Sequence, residues 1–216
     1  MNERRRLMVE LLKKHGILTD RAFEKAMLKV PRELFVHEKY VSSAYSDEPL
    51  PIPPFDGMHT ISAPHTYPIF CQALKLKKGD RFLEIGTGSG YGSALAAEIA
   101  GSRNVTTMES VKETFEFAIS NLRIAGYKVH AVLGDGSTGH ASGAPYDKIA
   151  VTASSPVIPK PLLDQLAPGG SMVFPQGPRL PSQDLLLVEK DTKGKVTESF
   201  ITSVVYVPLI GKRAIY

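Results

Sequence analysis

The 216-residue sequence has one cysteine, Cys71. That excludes an intrachain disulfide and a thiolate metal cluster, and no other metal site is expected. A lone cysteine suits a reducing cytoplasm. Cys71 sits in an apolar run and is expected as a buried filler rather than a nucleophile. No stretch approaches the roughly 18 consecutive apolar residues of a membrane span. The basic triplet Arg4-Arg5-Arg6 has no apolar core behind it, because Glu10, Lys13 and Lys14 break up Leu7, Met8, Val9, Leu11 and Leu12. No signal peptide is expected. Blocks of like charge are also scarce. Lysine and arginine total 26 against 22 aspartate and glutamate, a net charge of +4. Beyond the triplet these residues are dispersed and not interleaved with aromatics, so no stable nucleic-acid partner is expected. What is present, 43% hydrophobic and 22% charged residues, is the composition of a soluble globular protein. The length suits one domain spanning 1–216.

The N-terminal 79 residues read as helices and an irregular loop. Residues 3–15 have helical spacing, with Leu7, Leu11, Met8 and Leu12 as the apolar face and the arginines on a solvated one. Thr19 or Asp20 caps a second helix through about Lys29, with Phe23, Ala26 and Met27 facing inward, and Pro31 ends it. Prolines 49, 51, 53 and 54 with Gly57 exclude regular structure over 45–59, a loop long enough to suggest function. From residue 80 the pattern alternates. Strands are predicted at 81–85, 104–109, 128–133, 147–152 and 171–175, with helices at 91–100, 111–125 and near 160–166. Ala167-Pro-Gly-Gly170 is read as the turn opening the strand at 171. Strands 184–190 and 196–207 flank a turn and form an antiparallel hairpin. The fold class is therefore α/β: a doubly wound, mostly parallel, Rossmann-like sheet over 80–216, with N-terminal helices and a C-terminal hairpin.

The first of these strands ends in Glu84-Ile-Gly-Thr-Gly-Ser-Gly-Tyr91. Strand, glycine turn and helix together cradle a nucleotide-like ligand. A dinucleotide turn needs G-x-G-x-x-G. Counting from Gly86 the last position is Tyr91, and from Gly88 it is Ser93, so neither register fits. The Gly-Lys-Ser/Thr ending of a P-loop is missing as well. Glu109 ends the next strand, where an acid grips ribose hydroxyls, although a carboxylate there also suits the helix start that follows. Asp135 ends the third strand, placed to accept from an adenine amine, although Asp135-Gly136 is also an ordinary turn. Taken as an ordered set, these residues suit a nucleoside without phosphates, such as S-adenosylmethionine, better than a nicotinamide cofactor.

Ahead of the sheet stands Thr60-Ile-Ser-Ala-Pro-His65. It reads as a helix start, with Ser62 or Ala63 at the cap and Pro64 in the first turn. Such an end presents N–H groups and hydroxyls to a carboxylate. Pro68 further requires either that the helix start near it or that the first turn be distorted.

With these motifs the chain resembles the protein-L-isoaspartate (D-aspartate) O-methyltransferase family. Thr60–His65 matches the family's loop residue for residue, and Leu83–Tyr91 is similar to its methyl-donor turn. Pro31-Arg-Glu-Leu-Phe35, Leu50-Pro-Ile52, Tyr146-Asp147, Val151-Thr-Ala153, Leu166 with Gly169-Gly170, and Val207-Pro-Leu209 follow in the family's order. Two segments differ. Asp56-Gly57-Met58-His59 stands where the family has glycine-x-glycine-glutamine, and Thr66-Tyr67-Pro68 follows His65.

The resemblance implies methyl transfer from S-adenosylmethionine to the free α-carboxylate of L-isoaspartyl and D-aspartyl residues in damaged proteins. S-adenosylhomocysteine is the product, and the ester then closes to a succinimide. It implies Ser62 as the active-site residue and Thr60, Ile61, Ser62 and Val207 as contacts to the peptide. His65, Glu84, Gly86, Thr87, Gly88, Gly90, Glu109, Ser110, Asp135 and Gly136 would surround the methyl donor. The enzyme is expected to be cytoplasmic and monomeric. A carboxylate with a reference pKa of about 4 is already ionised at neutral pH, so no general base is required. Alternative readings are a methyltransferase of the same fold acting on a small molecule or RNA, and an S-adenosylmethionine-binding protein without catalysis.

Overall fold

The computed structural model describes residues 3–178 and 180–214. It opens with helices α1 (Glu3–Lys14) and α2 (Arg21–Lys29). On α1 the buried stripe is Arg5, Met8, Val9 and Leu12, while Leu7 and Leu11 are 48% and 55% exposed. This corrects the expected face by a rotation of about one residue. The cause is polar. Arg5 donates to the Tyr45 hydroxyl, the Leu28 and Lys29 carbonyls and the Glu33 carboxylate, which turns it inward, off the solvated side. Asp20, not Thr19, caps α2, accepting from the Phe23 N–H at 2.7 Å. Phe23, Ala26 and Met27 are buried as expected.

A two-stranded ribbon follows. In it β1 (Leu50–Pro51) pairs antiparallel with β2 (Thr60–Ile61), closing the proline-rich loop. Helix α3 spans Thr66–Leu74, with His65 as N-cap. The expected start at Ser62 or Ala63 is thus corrected, because Thr60 and Ile61 belong to a strand. Pro68 becomes the third helical residue, whose N–H has no intrahelical partner in any α-helix. The first turn therefore takes Pro68 without loss. Cys71 faces inward on α3 at 3% exposure, and burial pushes its thiol well up.

The remaining elements are β3 (Phe82–Ile85), α4 (Tyr91–Ala100), β4 (Val105–Glu109), α5 (Lys112–Ile124), β5 (His130–Leu133), β6 (Tyr146–Val151), α6 (Lys160–Gln165), β7 (Leu166–Gln176), β8 (Gln183–Lys190) and β9 (Val196–Val204). They form one sheet of order β5-β4-β3-β6-β7-β8-β9, parallel through β7 and antiparallel from β7 to β9. Strand β7 begins at Leu166, and its register against β6 shifts between Tyr146 and Lys148. The stretch Ala167–Gly170 is thus an irregularity within the strand, not a turn before it.

Alternation along the strands divides the core into two layers. Phe82, Ala150 and Val173 pack with the N-terminal helices and α4. Their neighbours Leu83, Ile149, Met172 and Phe174 pack with Leu162 of α6 on the opposite face. Strand β3 pairs with β4 on one side and with β6 on the other. A crevice opens at such a reversal, beyond the carboxyl ends of the strands.

Candidate active site

The chain leaves β3 through three glycines at positive φ, Gly86, Gly88 and Gly90 (96°, 54° and 87°). Only glycine enters this region freely. The Gly86 and Thr87 N–H groups donate to the Met108 carbonyl at 2.8 and 3.0 Å, fastening the turn to β4. Any Cβ on Gly86 would collide with the Thr152 hydroxyl, which itself donates to the Ile85 and Gly86 carbonyls. Glu84 lies beneath the turn at 2% exposure. It accepts from Ser93 and from Thr107, the latter at 2.8 Å. Burial pushes its carboxyl up to about 7, against the opposing pull of those two hydroxyls. Helix α4 passes so close that Gly92 has no room for a Cβ beside the Glu84 carboxylate.

Glu109 ends β4, and three backbone N–H groups converge on its carboxylate. Oε2 accepts from Gly88 at 3.0 Å, and Oε1 from Ser110 at 2.8 Å and Val111 at 3.1 Å. The carboxylate therefore braces the glycine turn and the start of α5 together, while lining the cavity above them. The helix-start reading of Glu109 made from the sequence describes these bonds.

The Thr60–His65 loop forms the facing wall. Along β2 and the residue after it, Thr60 and Ser62 line the cavity and Ile61, between them, points into the core at 1% exposure. This is the alternation of an extended chain. The space a Cβ on Gly88 would take ends 3.9 Å from the Thr60 carbonyl oxygen, so the glycine turn and this loop approach one another directly. The ring and the N–H of His65 both reach Asp47 Oδ1, at 2.9 and 3.0 Å. In the preceding loop Asp56 Oδ2 meets His59 Nδ1 at 2.8 Å, while Oδ1 accepts from the Met58 and His59 N–H groups. The His59 ring holds the Asp56 carboxyl down to about 2. Met58 and His59, within the segment that differs from the family pattern, both line the cavity. A third wall is the segment after β9. The Ser154 N–H donates to the Val207 carbonyl, and the Leu209 N–H returns to the Ser154 carbonyl. That clasp sets Val207 at the cavity edge.

The cavity encloses about 830 Å³, well within the range of small-molecule sites. Of the expected residues, Thr60, Ser62, His65, Glu84, Gly86, Thr87, Gly88, Glu109, Ser110, Gly136 and Val207 lie on its wall. Ile61, Gly90 and Asp135 do not. Gly90 is the N-cap of α4 and sits against Leu122 and Ala118. Asp135 is engaged by its own chain: Oδ1 accepts from Ser137 N and Oγ, and Oδ2 from the Lys212 N–H. Burial pushes the Asp135 carboxyl up, but the Ser137 and Lys212 hydrogen bonds outweigh it and the net direction is down. Sequence reasoning named Thr152 and Tyr67 only within longer segments and did not name Asp47. Thr152 meets Gly86 across 66 residues and Asp47 meets His65 across 18, and no local spacing reveals either contact.

The residues fit an S-adenosyl ligand. Bare turn backbone and a carboxylate at the end of β4 share the cavity wall with the apolar residues Ile85 and Met108, a combination that suits a ribose and an adenine. The family profile for protein-L-isoaspartate(D-aspartate) O-methyltransferase matches residues 2–214. The sequence is 47% identical to a Pyrococcus horikoshii protein named protein-L-isoaspartate O-methyltransferase, covering 94% of this chain and 91% of that one. It is 46% identical to protein-L-isoaspartate O-methyltransferase 2 of Archaeoglobus fulgidus, covering 98% and 94%. Among solved structures, a Plasmodium falciparum protein-L-isoaspartate O-methyltransferase in complex with S-adenosyl-L-homocysteine superimposes with a TM-score of 0.81 at 26% identity, covering 97% of this chain and 99% of that one. The chain belongs to the protein-L-isoaspartate (D-aspartate) O-methyltransferase family.

Proposed function

We propose that this chain transfers a methyl group from S-adenosylmethionine to the free α-carboxylate of L-isoaspartyl and D-aspartyl residues in damaged proteins, the step that leads to repair through a succinimide. The observation that carries the reading is the meeting of Thr60–Ser62 with the glycine turn across one cavity. When bound, the cofactor supplies an electrophilic methyl group on a sulfonium. Glu109 and Ser110 would hold its ribose, the backbone of 86–88 would lie against it, and His65, fixed by Asp47, would border it. The Ser62 hydroxyl would donate to the acceptor carboxylate and orient it for transfer. Thr60 and Val207 flank the peptide. The acceptor is already ionised, so the residues contribute alignment and exclusion of water more than proton transfer.

Isoaspartyl-containing proteins and peptides are the substrates, and the chain works as a monomeric single domain. Its lone buried cysteine suits a reducing cytoplasm. Among the described residues no helix is long and apolar enough to cross a membrane. The test is a matched pair of peptides, one isoaspartyl and one aspartyl, offered with labelled methyl donor. Label is expected on the isoaspartyl member alone, and equal labelling of both would overturn the assignment.

A further inference from the structure

Arg32 is completely buried in the short 3-10 turn Arg32–Leu34 that follows Pro31. Its Nε donates to the Ala44 carbonyl at 2.7 Å and its Nη2 to the Ser62 carbonyl at 2.8 Å. Among the described residues, Nη1 has no hydrogen-bond partner, and no carboxylate lies within 4.0 Å of the guanidinium. Two aromatic rings are its other neighbours, Tyr91 at 5.2 Å and Tyr67 at 5.9 Å from the guanidinium carbon. The Tyr67 phenol feels both Arg32 and the Ser62 N–H, so Arg32, Tyr67 and the backbone of Ser62 form one cluster.

A buried cation without a counterion is costly, and apolar residues of similar volume often replace even a buried ion pair without loss of stability. Cation–π contact with two tyrosines offsets only part of that cost. Stability alone therefore gives a weak account of arginine here, and the two acceptors give a better one. A rigid fork spans two carbonyls at once, which the single point of a lysine cannot do. One of those carbonyls belongs to Ser62, which lines the cavity.

We propose that Arg32 is a positioning residue for methyl transfer, fixing the Ser62 peptide so that the Ser62 hydroxyl is aimed at the acceptor carboxylate. The inference rests on the function proposed above. Its charge has a second effect. Transfer breaks the sulfur–methyl bond, leaves the electron pair on sulfur and forms a carbon–oxygen bond to the carboxylate. The acceptor thus enters as an anion and leaves as a neutral ester. A fixed cation behind Ser62 favours the first over the second, which aids acceptor binding and product release but opposes the loss of charge on the way to the transition state, so the gain in kcat comes from geometry and not from charge.

The experiment uses the full chain with an isoaspartyl peptide and compares Arg32→Met, Arg32→Lys, Ser62→Ala and each double variant. Arg32→Met leaves the Ala44 and Ser62 carbonyls without a donor, so it is expected to lower the melting temperature modestly and to keep its affinity for S-adenosylmethionine. Its kcat is expected to fall by about tenfold or more, and its KM for peptide to rise, as misplacement in a reacting site implies. Arg32→Lys keeps the charge and is expected to lose kcat similarly. In the Ser62→Ala background either Arg32 change should cost less than about twofold, the non-additivity of residues that act through one another. Wild-type activity in Arg32→Met, losses that add to those of Ser62→Ala, or a fall in melting temperature that accounts for the whole loss would each overturn the inference. A wild-type protein that methylates the peptide while Arg32→Met matches it sinks this inference alone. A wild-type protein inactive on the peptide sinks the proposed function and the inference with it. Should Arg32→Met fail to fold, the same cycle run with Arg32→Lys decides the question, since additive losses there overturn the inference equally.

Discussion

One oxygen of Asp47 holds His65 twice, accepting from its backbone N–H at 3.0 Å and lying 2.9 Å from its ring nitrogen. The contact crosses 18 residues and ties the segment before β1 to the N-cap of α3. Asp47→Ala releases both. It is expected to cost about 1 kcal/mol, the usual net worth of such a bond at a helix start. Affinity for S-adenosylmethionine should fall several-fold as His65 loses its orientation. Thermal melting with calorimetric titration checks both, and unchanged affinity would remove His65 from the donor site.

Gly92 is helical, so its need to be glycine is steric, not conformational. A methyl group there meets the buried Glu84 carboxylate. Gly92→Ala is expected to destabilise the protein by about 2 kcal/mol, the scale of overpacking in a tight core. Gly126→Ala, at a glycine with nothing near it but a φ of 82°, serves as a control in which strain acts without a clash. Chemical denaturation distinguishes the two, since only the first should also weaken cofactor binding.

The elevated Glu84 carboxyl makes stability depend on pH. Its value in the fold is about 7 against 4.5 when unperturbed, because burial penalises the charge. The folded state then binds the proton more tightly than the unfolded chain. Its contribution is fully present below about 4.5, is lost as pH rises through about 7, and amounts to on the order of 3 kcal/mol. In the ligand-free protein, Glu84→Gln should abolish that part of the decline between about pH 5 and 7.5. Denaturant midpoints measured across the range test it, and identical slopes for variant and wild type would show that Glu84 is not the group responsible.

Glu109 and Asp135 end adjacent strands, yet only Glu109 faces the cavity. Glu109→Gln is expected to weaken S-adenosylmethionine binding by about tenfold or more, through lost charge-assisted hydrogen bonds. Asp135→Ala should instead loosen the segment around Lys212 and Arg213, whose N–H groups end on Asp135 and Ser137. Hydrogen exchange at those two amides reports it directly. A larger loss of cofactor affinity in Asp135→Ala than in Glu109→Gln would reverse this assignment.

What could be read from the sequence was whatever repeats locally. The glycine turn, the strand–helix alternation and the cap of α2 carry their own spacing and reappear within a few residues, the widest departure being β7, which starts at Leu166 and not at 171. Thr60–His65 was legible as chemistry but misread as conformation. Its extended backbone depends on pairing with Leu50 and Pro51 across the proline-rich loop, and helix-start residues alone give no sign of that partner. The rotation of α1 was hidden likewise, because a buried Arg5 is intelligible only beside Tyr45 and Glu33. Asp135 occupied the expected strand end, but the tail that claims its oxygens lies 77 residues away.

Cys71 is buried, and its thiol is pushed far from ionisation, so the surface is in effect blank to thiol reagents. A cysteine introduced at the cavity mouth, at exposed Leu180 or Val205, becomes the single reactive sulfur on the molecule. A fluorophore there would report peptide arrival in real time, without first stripping the protein of competing labels.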